Sequence, residues 1–335
     1  MNLQERIEIL VSAGEILSGT DTHTKEEWSA ALETAYRKNN WFAPLFLQKA
    51  TEQICASYLN KEALQAMAQH YFLDEPASVK TVGIVMAGNI PLVGFHDFLC
   101  VFLSGHHQRC KLSSKDDVLF STLIRLLGNK FPAFKEYVSI TERLNDCDAY
   151  IATGSDNSAR YFEYYFGRYP SIIRKNRTSV AVLSGEETEE ELELLADDLF
   201  MYFGLGCRNV TQIHIPREYD FIPLLASMKK YSWCFDHNKY RNNYDYQLAI
   251  YIMNSMQYMT NECIVLIENE SPFSPIGTLH YSYYDDMNER IETLKSNQSI
   301  QAIVGSGSIA FGKAQSPALM DYADGIDTMA FLLTL

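Results

Sequence analysis

Apolar residues recur at helical spacing through the first quarter of the chain, at Ile7, Leu10, Val11, Ile16 and Leu17. That period predicts amphipathic helices. Thr24-Lys25-Glu26-Glu27 carries a capping-box pattern ahead of a second helix, which Asn39-Asn40 ends. Helical runs follow over 47–59 and 61–72, so residues 1 to about 75 read as a helical layer. The pattern changes at Thr81, where 82–87 is a short, continuous apolar run suited to a buried parallel strand. It ends in Gly88-Asn89-Ile90-Pro91-Leu92. A helix over 93–104, a strand over 108–112 and a helix over 116–128 come next, then a helix over 131–144 and a strand over 149–153. Gly154-Ser155-Asp156 opens a helix over 157–166.

The second half repeats the alternation. A strand over 179–183 leads into an acidic helix over 186–202, whose early glutamates suit the positive end of the helix dipole. Phe203-Gly204-Leu205-Gly206-Cys207-Arg208-Asn209 forms the turn into a strand over 210–215. Helices over 216–228, 246–256 and 287–296 are interleaved with strands over 263–268, 278–284 and 300–304. Such alternation predicts an α/β fold of two doubly wound lobes. The expected division is an N-terminal helical segment at 1–78 packed on a first lobe at 79–183, a second lobe at 184–310, and a tail at 311–335 returning to the first lobe. Ligands bind such sheets at the carboxyl ends of strands. Asn89, Lys111, Thr153, Gly154 and Ser155 would share that edge.

Composition narrows the classes. A chain of 335 residues with 47% hydrophobic content can fill two cores. Its net charge of -14 makes nucleic acid an unsuitable partner. Seven widely spaced cysteines without a CxxC pair point to free thiols in a reducing compartment. No basic-then-apolar leader opens the chain, and no apolar run reaches the ~20 residues of a membrane span. We therefore expect a cytoplasmic protein.

Three features read as bland. Gly305-Ser306-Gly307-Ser308-Ile309-Ala310 fits a GxGxxA spacing, but that fingerprint needs a helix, a strand and an acidic residue beyond it. Only a short tail with an early Pro317 remains, so a glycine-rich strand end is expected. His106-His107 near Cys110 lacks a second ligand cluster at metal spacing and reads as an exposed loop pair, with no metal expected. His96, His214 and His280 are isolated, and none is marked as a partner for a thiol dyad. Alone, Cys207 reads as a core cysteine in a turn, since free Cys is among the most buried residue types.

Four short elements in order alter that reading: Asn89-Ile90-Pro91, Lys111-Leu112-Ser113, Thr153-Gly154-Ser155 and Gly204-Leu205-Gly206-Cys207. Their order and spacing resemble the aldehyde dehydrogenase superfamily, and Pro272-Phe273-Ser274-Pro275-Ile276 looks like its Glu-x-Phe-Gly-Pro loop. Within it the chain resembles acyl-CoA reductases of the LuxC type, through Arg174-Lys175-Asn176-Arg177-Thr178-Ser179 and the stretch from Gln315 to Gly325. The likeness covers roughly residues 80 to 335. It implies an aldehyde dehydrogenase-like fold, with 79–183 as cofactor lobe and 184–310 as catalytic lobe. It makes Cys207 the nucleophile and Asn89 an oxyanion donor. NADPH or NADH would meet Lys111, Ser113, Thr153, Gly154 and Ser155. Arg174, Lys175 and Arg177 would be a basic cluster for the phosphates of an acyl-CoA substrate. A homo-oligomer, or a partner enzyme that takes or supplies the acyl group, is compatible with it.

Departures carry chemistry. Leu205 stands where Gln is usual, and Leu112 where Pro follows the lysine. No Glu-Leu-Gly-Gly element lies between Ser155 and Cys207, where hydrolytic members keep a general-base glutamate. Without that base the acyl thioester would wait for hydride, which favours acyl-CoA reduction over acid formation. A semialdehyde dehydrogenase, an acyl-phosphate reductase, a cofactor-independent thiol acyltransferase and a non-catalytic relative stay open.

Overall fold

In the computed structural model every residue from Met1 to Leu335 except Ala77 is described. The chain divides into two compact units, Met1–Asn176 with Pro317–Leu335, and Arg177–Ser316.

The first unit is built on a parallel sheet. Its strands are β1 (Thr81–Val85), β2 (His107–Lys111), β3 (Val138–Ile140), β4 (Ala149–Thr153) and β5 (Ser171–Arg174), in the order β3-β2-β1-β4-β5. Strand order reverses between β1 and β4, which opens a crevice beyond their carboxyl ends. The helix Phe95–Leu103 is almost entirely apolar and buried on all sides. It lies between β2 and the helices Leu3–Leu17 and Thr328–Leu333. The N-terminal helices Leu3–Leu17, Lys25–Lys38, Pro44–Tyr58 and Lys61–His70 form the layer that the 3.6-residue pattern predicts. The segment Pro317–Leu335 is stitched to this unit by polar contacts. His96 Nε2 lies 2.7 Å from the Leu319 carbonyl oxygen, and Tyr71 donates to Asp327 at 2.7 Å.

The second unit holds β6 (Thr178–Val182), β7 (Val210–Pro216), β8 (Met259–Thr260), β9 (Val265–Glu268), β10 (Thr278–Tyr284) and β11 (Ile300–Gly305). The order is β11-β6-β7-β10-β9-β8, parallel except for the antiparallel β8–β9 pair. Its interior includes Val180, Val182 and Ile303 around β6 and β11, and Tyr244, Val265 and Ile267 around β9.

Several expectations change. The strand at 178–182 belongs to the second sheet, so the division falls at Asn176 rather than after 183. Residues 131–144 form one helical turn, Phe134–Tyr137, and then edge strand β3, since Val138 and Ile140 suit a pleated surface. β5, only four residues long and closed by a run of charge, went unpredicted. The helix expected from Pro216 starts at Phe221, where the Asp220 carboxylate accepts from Ile222 N–H at 2.9 Å. His106 is no exposed loop residue. It is 3% exposed, its Nε2 lies 3.1 Å from the Leu332 carbonyl oxygen, and burial lowers its pKa. The GxGxxA stretch is a strand end followed by a turn, with Gly305 at φ +96° and a bridge between Val304 and Ile309.

Candidate functional site

The thiol turn is built in the second unit. A capping box, Thr188 with Glu191, starts the helix Glu189–Phe200. Beyond its end, Tyr202 (φ 53°, ψ 26°), Phe203 (φ 56°, ψ 29°) and Gly204 (φ 76°) are consecutively left-handed. That geometry costs about 1–2 kcal/mol for each of the two aromatic residues. Burial of Phe203, 1% exposed against the rings of Trp233, His237 and Tyr240, returns about 1.5–3 kcal/mol. The chain then reverses through Leu205 and Gly206 to Cys207 and enters β7. Side-chain bonds hold the reversal. Asn209, fully buried, donates to the carbonyls of Asp198, Leu199 and Met201 and accepts from Gly206 N–H. Ser179 Oγ donates to the Cys207 carbonyl at 3.1 Å.

Cys207 is half-buried, as is Cys55, whereas Cys100, Cys110, Cys147, Cys234 and Cys263 are buried. Desolvation raises the pKa of each of those five and pushes Cys55 up to about 11. Close in sequence lies Asp198, 1% exposed, whose carboxyl burial pushes up to about 7. Its Oδ2 accepts from Gly312 N–H at 2.7 Å and its Oδ1 from Ala314 N–H at 3.0 Å. These two bonds tie the Gly312–Ala314 backbone to the helix Glu189–Phe200. His214 Nδ1 lies 2.9 Å from Ser282 Oγ, and desolvation pushes its ring down to about 3, so it is neutral. His280 Nδ1 is engaged by the Ser271 carbonyl at 2.8 Å.

In the first unit, β1, β2 and β4 end level, with Val85 opposite Lys111 and also paired in register with Ala152. The loops beyond them bring the remaining candidates to one sheet edge. Gly88 sits so close to the β2 loop that a Cβ would stand 2.6 Å from Ser113 Oγ. Asn89 follows, half-buried. Leu92, at φ 54°, donates its N–H to Asp116 Oδ2 at 2.6 Å. Asp116 is 4% exposed, and its Oδ1 has no hydrogen-bond partner among the described residues. Burial pushes this carboxyl up to about 7. Lys111 lines a cavity of ≈ 580 Å³ together with Leu112, Ser121 and the Lys38–Asp117 ion pair. Beyond β4, Gly154 packs tightly against Ser158 and Phe162, and Ser155 caps the helix Asp156–Phe166 by accepting from Ser158 N–H at 3.3 Å. A helix start of that kind is suited to an anionic group.

The basic cluster does not form as expected. Arg174 is 3% exposed and points into the first unit, donating to Asp97 at 2.6 Å and to Thr328 at 2.9 Å. A guanidinium committed to an internal carboxylate is not presented to a CoA phosphate. Lys175 is exposed and pairs with Glu163 at 3.0 Å, while Arg177 donates to the Ile300 carbonyl at 3.5 Å. Sequence reasoning missed Asn209, Asp198 and Asp116. An asparagine two places after the thiol was the visible signal for the first. The aspartates carried none, since burial decides their role. Among the described residues no group of three His, Cys, Asp or Glu residues is placed to hold a metal ion, and no helix is long and apolar enough to cross a membrane.

No family model matches the chain, and no curated protein matches it by sequence. Solved structures do match in fold. An NAD+ complex of aldehyde dehydrogenase from Bacillus cereus aligns with a TM-score of 0.65 at 11% identity, over 91% of this chain and 72% of that one. Aldehyde dehydrogenase 21 from Physcomitrella patens, in complex with the reaction product succinate, gives 0.64 at 12% identity, over 91% and 74%. Mycobacterium tuberculosis aldehyde dehydrogenase complexed with NAD+ gives 0.61 at 12%, over 91% and 73%. The chain therefore has an α/β, aldehyde dehydrogenase-like fold.

Proposed function

We propose that this protein is an oxidoreductase of the acyl-CoA reductase kind, holding the acyl group on Cys207. The observation that carries the reading is the thiol turn itself. A half-buried cysteine stands on a strained, side-chain-braced reversal between helix and strand, in a fold shared with aldehyde dehydrogenases. Reactive groups are held in this way, on turns fixed by rigid elements.

In this reading the Cys207 thiolate attacks the thioester carbonyl, and the oxyanion takes a hydrogen bond from the Asn89 amide, assigned by its place after β1. Collapse expels the CoA thiolate and leaves an acyl thioester on Cys207. Bound NADPH or NADH would supply the hydride that turns this thioester into the aldehyde. The first unit fits such a cofactor. Gly88 lets the loops after β1 and β2 approach closely, Ser155 opens a helix beyond β4, and Lys111 lines a cavity at the same edge. Lys111 and Ser113 would hold the adenosine end, and Thr153, Gly154 and Ser155 the pyrophosphate. Lys175 and Arg177 stay as candidates for CoA phosphates.

The test is oxidation of NADPH or NADH, followed by absorbance, with acyl-CoAs of graded chain length. Cofactor oxidation that requires acyl-CoA supports the proposal. Thioester loss without cofactor oxidation points to a thiol acyltransferase instead, and cofactor reduction with a semialdehyde points to a dehydrogenase.

A further inference from the structure

We propose that Asn209, with Ser179 as a second tie, is a positioning residue that sets the direction of the Cys207 thiol. The inference rests on the reading of Cys207 as nucleophile. Asn209 Nδ2 reaches the carbonyl oxygens of Asp198 at 3.0 Å, Leu199 at 3.3 Å and Met201 at 2.8 Å. Helix ends leave such carbonyls without an intrahelical partner. Its Oδ1 accepts from Gly206 N–H at 2.8 Å. One buried carboxamide therefore bridges both ends of the left-handed run Tyr202-Phe203-Gly204.

The backbone completes the clamp. Asn209 N–H donates to the Gly206 carbonyl at 3.1 Å, and the Asn209 carbonyl accepts from Ser179 N–H of β6 at 3.1 Å. Ser179 Oγ donates to the Cys207 carbonyl. The peptide groups before and after Cys207 are thus both anchored. Its Cα–Cβ direction is set by the scaffold, and one torsion remains to the thiol. A side chain that only packed the core would have no need of four polar bonds to one turn. Loss of the clamp lets the thiol wander, and a shift of ~1 Å in a reacting group costs roughly a hundredfold in rate.

The test compares alkylation of individual cysteines by iodoacetamide, read peptide by peptide by mass spectrometry, in the wild type, Asn209→Ala, Asn209→Asp and Ser179→Ala. Freeing the turn exposes the half-buried thiol to a freely diffusing reagent, so Asn209→Ala should speed alkylation of Cys207 severalfold. Cys55, in the other unit, should stay within twofold, and buried Cys234 and Cys263 should remain protected. Asn209→Asp keeps an acceptor for Gly206 N–H but turns a carboxyl oxygen toward the carbonyls of Asp198, Leu199 and Met201, so it should speed Cys207 at least as much. Ser179→Ala should speed Cys207 by a smaller factor and carries the test if Asn209→Ala does not fold. A Cys207 rate within twofold of wild type, or slower, overturns the proposal. So does labelling of Cys234 and Cys263 together with Cys207, which would show general opening. The probe needs neither acyl-CoA nor cofactor, so an absence of reductase turnover would count against the proposed function and leave the alkylation ratios to judge the clamp.

Discussion

Asp116 offers a quantitative test of the loop that carries Asn89. Its carboxyl is buried, accepts one N–H from Leu92, and is pushed from 3.8 up to about 7 by desolvation. Between those values the folded state holds a proton that the unfolded state has released. Stability is therefore greatest below about pH 4 for this group, falls as pH rises toward about 7, and is level above. A displacement of ~3 pKa units at ~1.4 kcal/mol each sets an upper bound of ~4 kcal/mol, and structural relaxation around the ion brings it to about 2–4 kcal/mol. Asp116→Asn keeps an acceptor for Leu92 N–H and removes the ionisation. Thermal unfolding of the two proteins, followed from about pH 4 to about pH 8, gives the difference directly. The melting temperature of the variant relative to wild type should climb across this range by roughly 5–15 °C, at ~2–4 °C per kcal/mol for a unit of this size. Asp198, with a similarly raised pKa, is present in both proteins and cancels. Parallel curves would refute the reasoning, because they would mean that the Asp116 charge is solvated in the folded state.

Other outcomes follow from the same geometry. Asn89→Ala should lower kcat by roughly 10²–10³ with little change in acyl-CoA KM, measured by steady-state cofactor oxidation. Asp97→Asn strands the buried Arg174 guanidinium and should cost about 3–5 kcal/mol in denaturant unfolding, whereas replacing both partners with apolar residues should cost less. Gly305→Ala should fail to reach the wild-type melting temperature, since its Cβ would stand 2.4 Å from the Val182 carbonyl oxygen.

The alternating pattern made both sheets legible, and with them the edge shared by Asn89, Lys111 and Ser155. Continuous apolar runs such as 82–87 admit few readings once they alternate with helices. The failures have local causes. β3 and β5 are short strands of three and four residues, whose identity comes from pairing with β2 and β4 rather than from their own pattern. The expected division after residue 183 differs from the one at Asn176 because a strand of five buried residues at 178–182 serves either sheet equally well as a sequence. Arg174 shows a deeper limit. Beside Lys175 and Arg177 it reads as a surface cluster, yet strand alternation turns it toward Asp97, which lies far away in the chain. The thiol was visible as a turn residue, but the clamp that braces it was not. No propensity foretells two left-handed aromatic residues, because tertiary bonds from Asn209 and packing of Phe203 hold them there.

The central claim is that Cys207 carries the acyl group. Incubation with an acyl-CoA in the absence of cofactor, followed by mass spectrometry of the digested protein, tests it most directly. The account predicts an acyl adduct on the Cys207 peptide that NADPH or NADH discharges to aldehyde and that Cys207→Ala abolishes while cofactor binding persists. No adduct, an adduct on another cysteine, or release as free acid at the same rate without cofactor would contradict it.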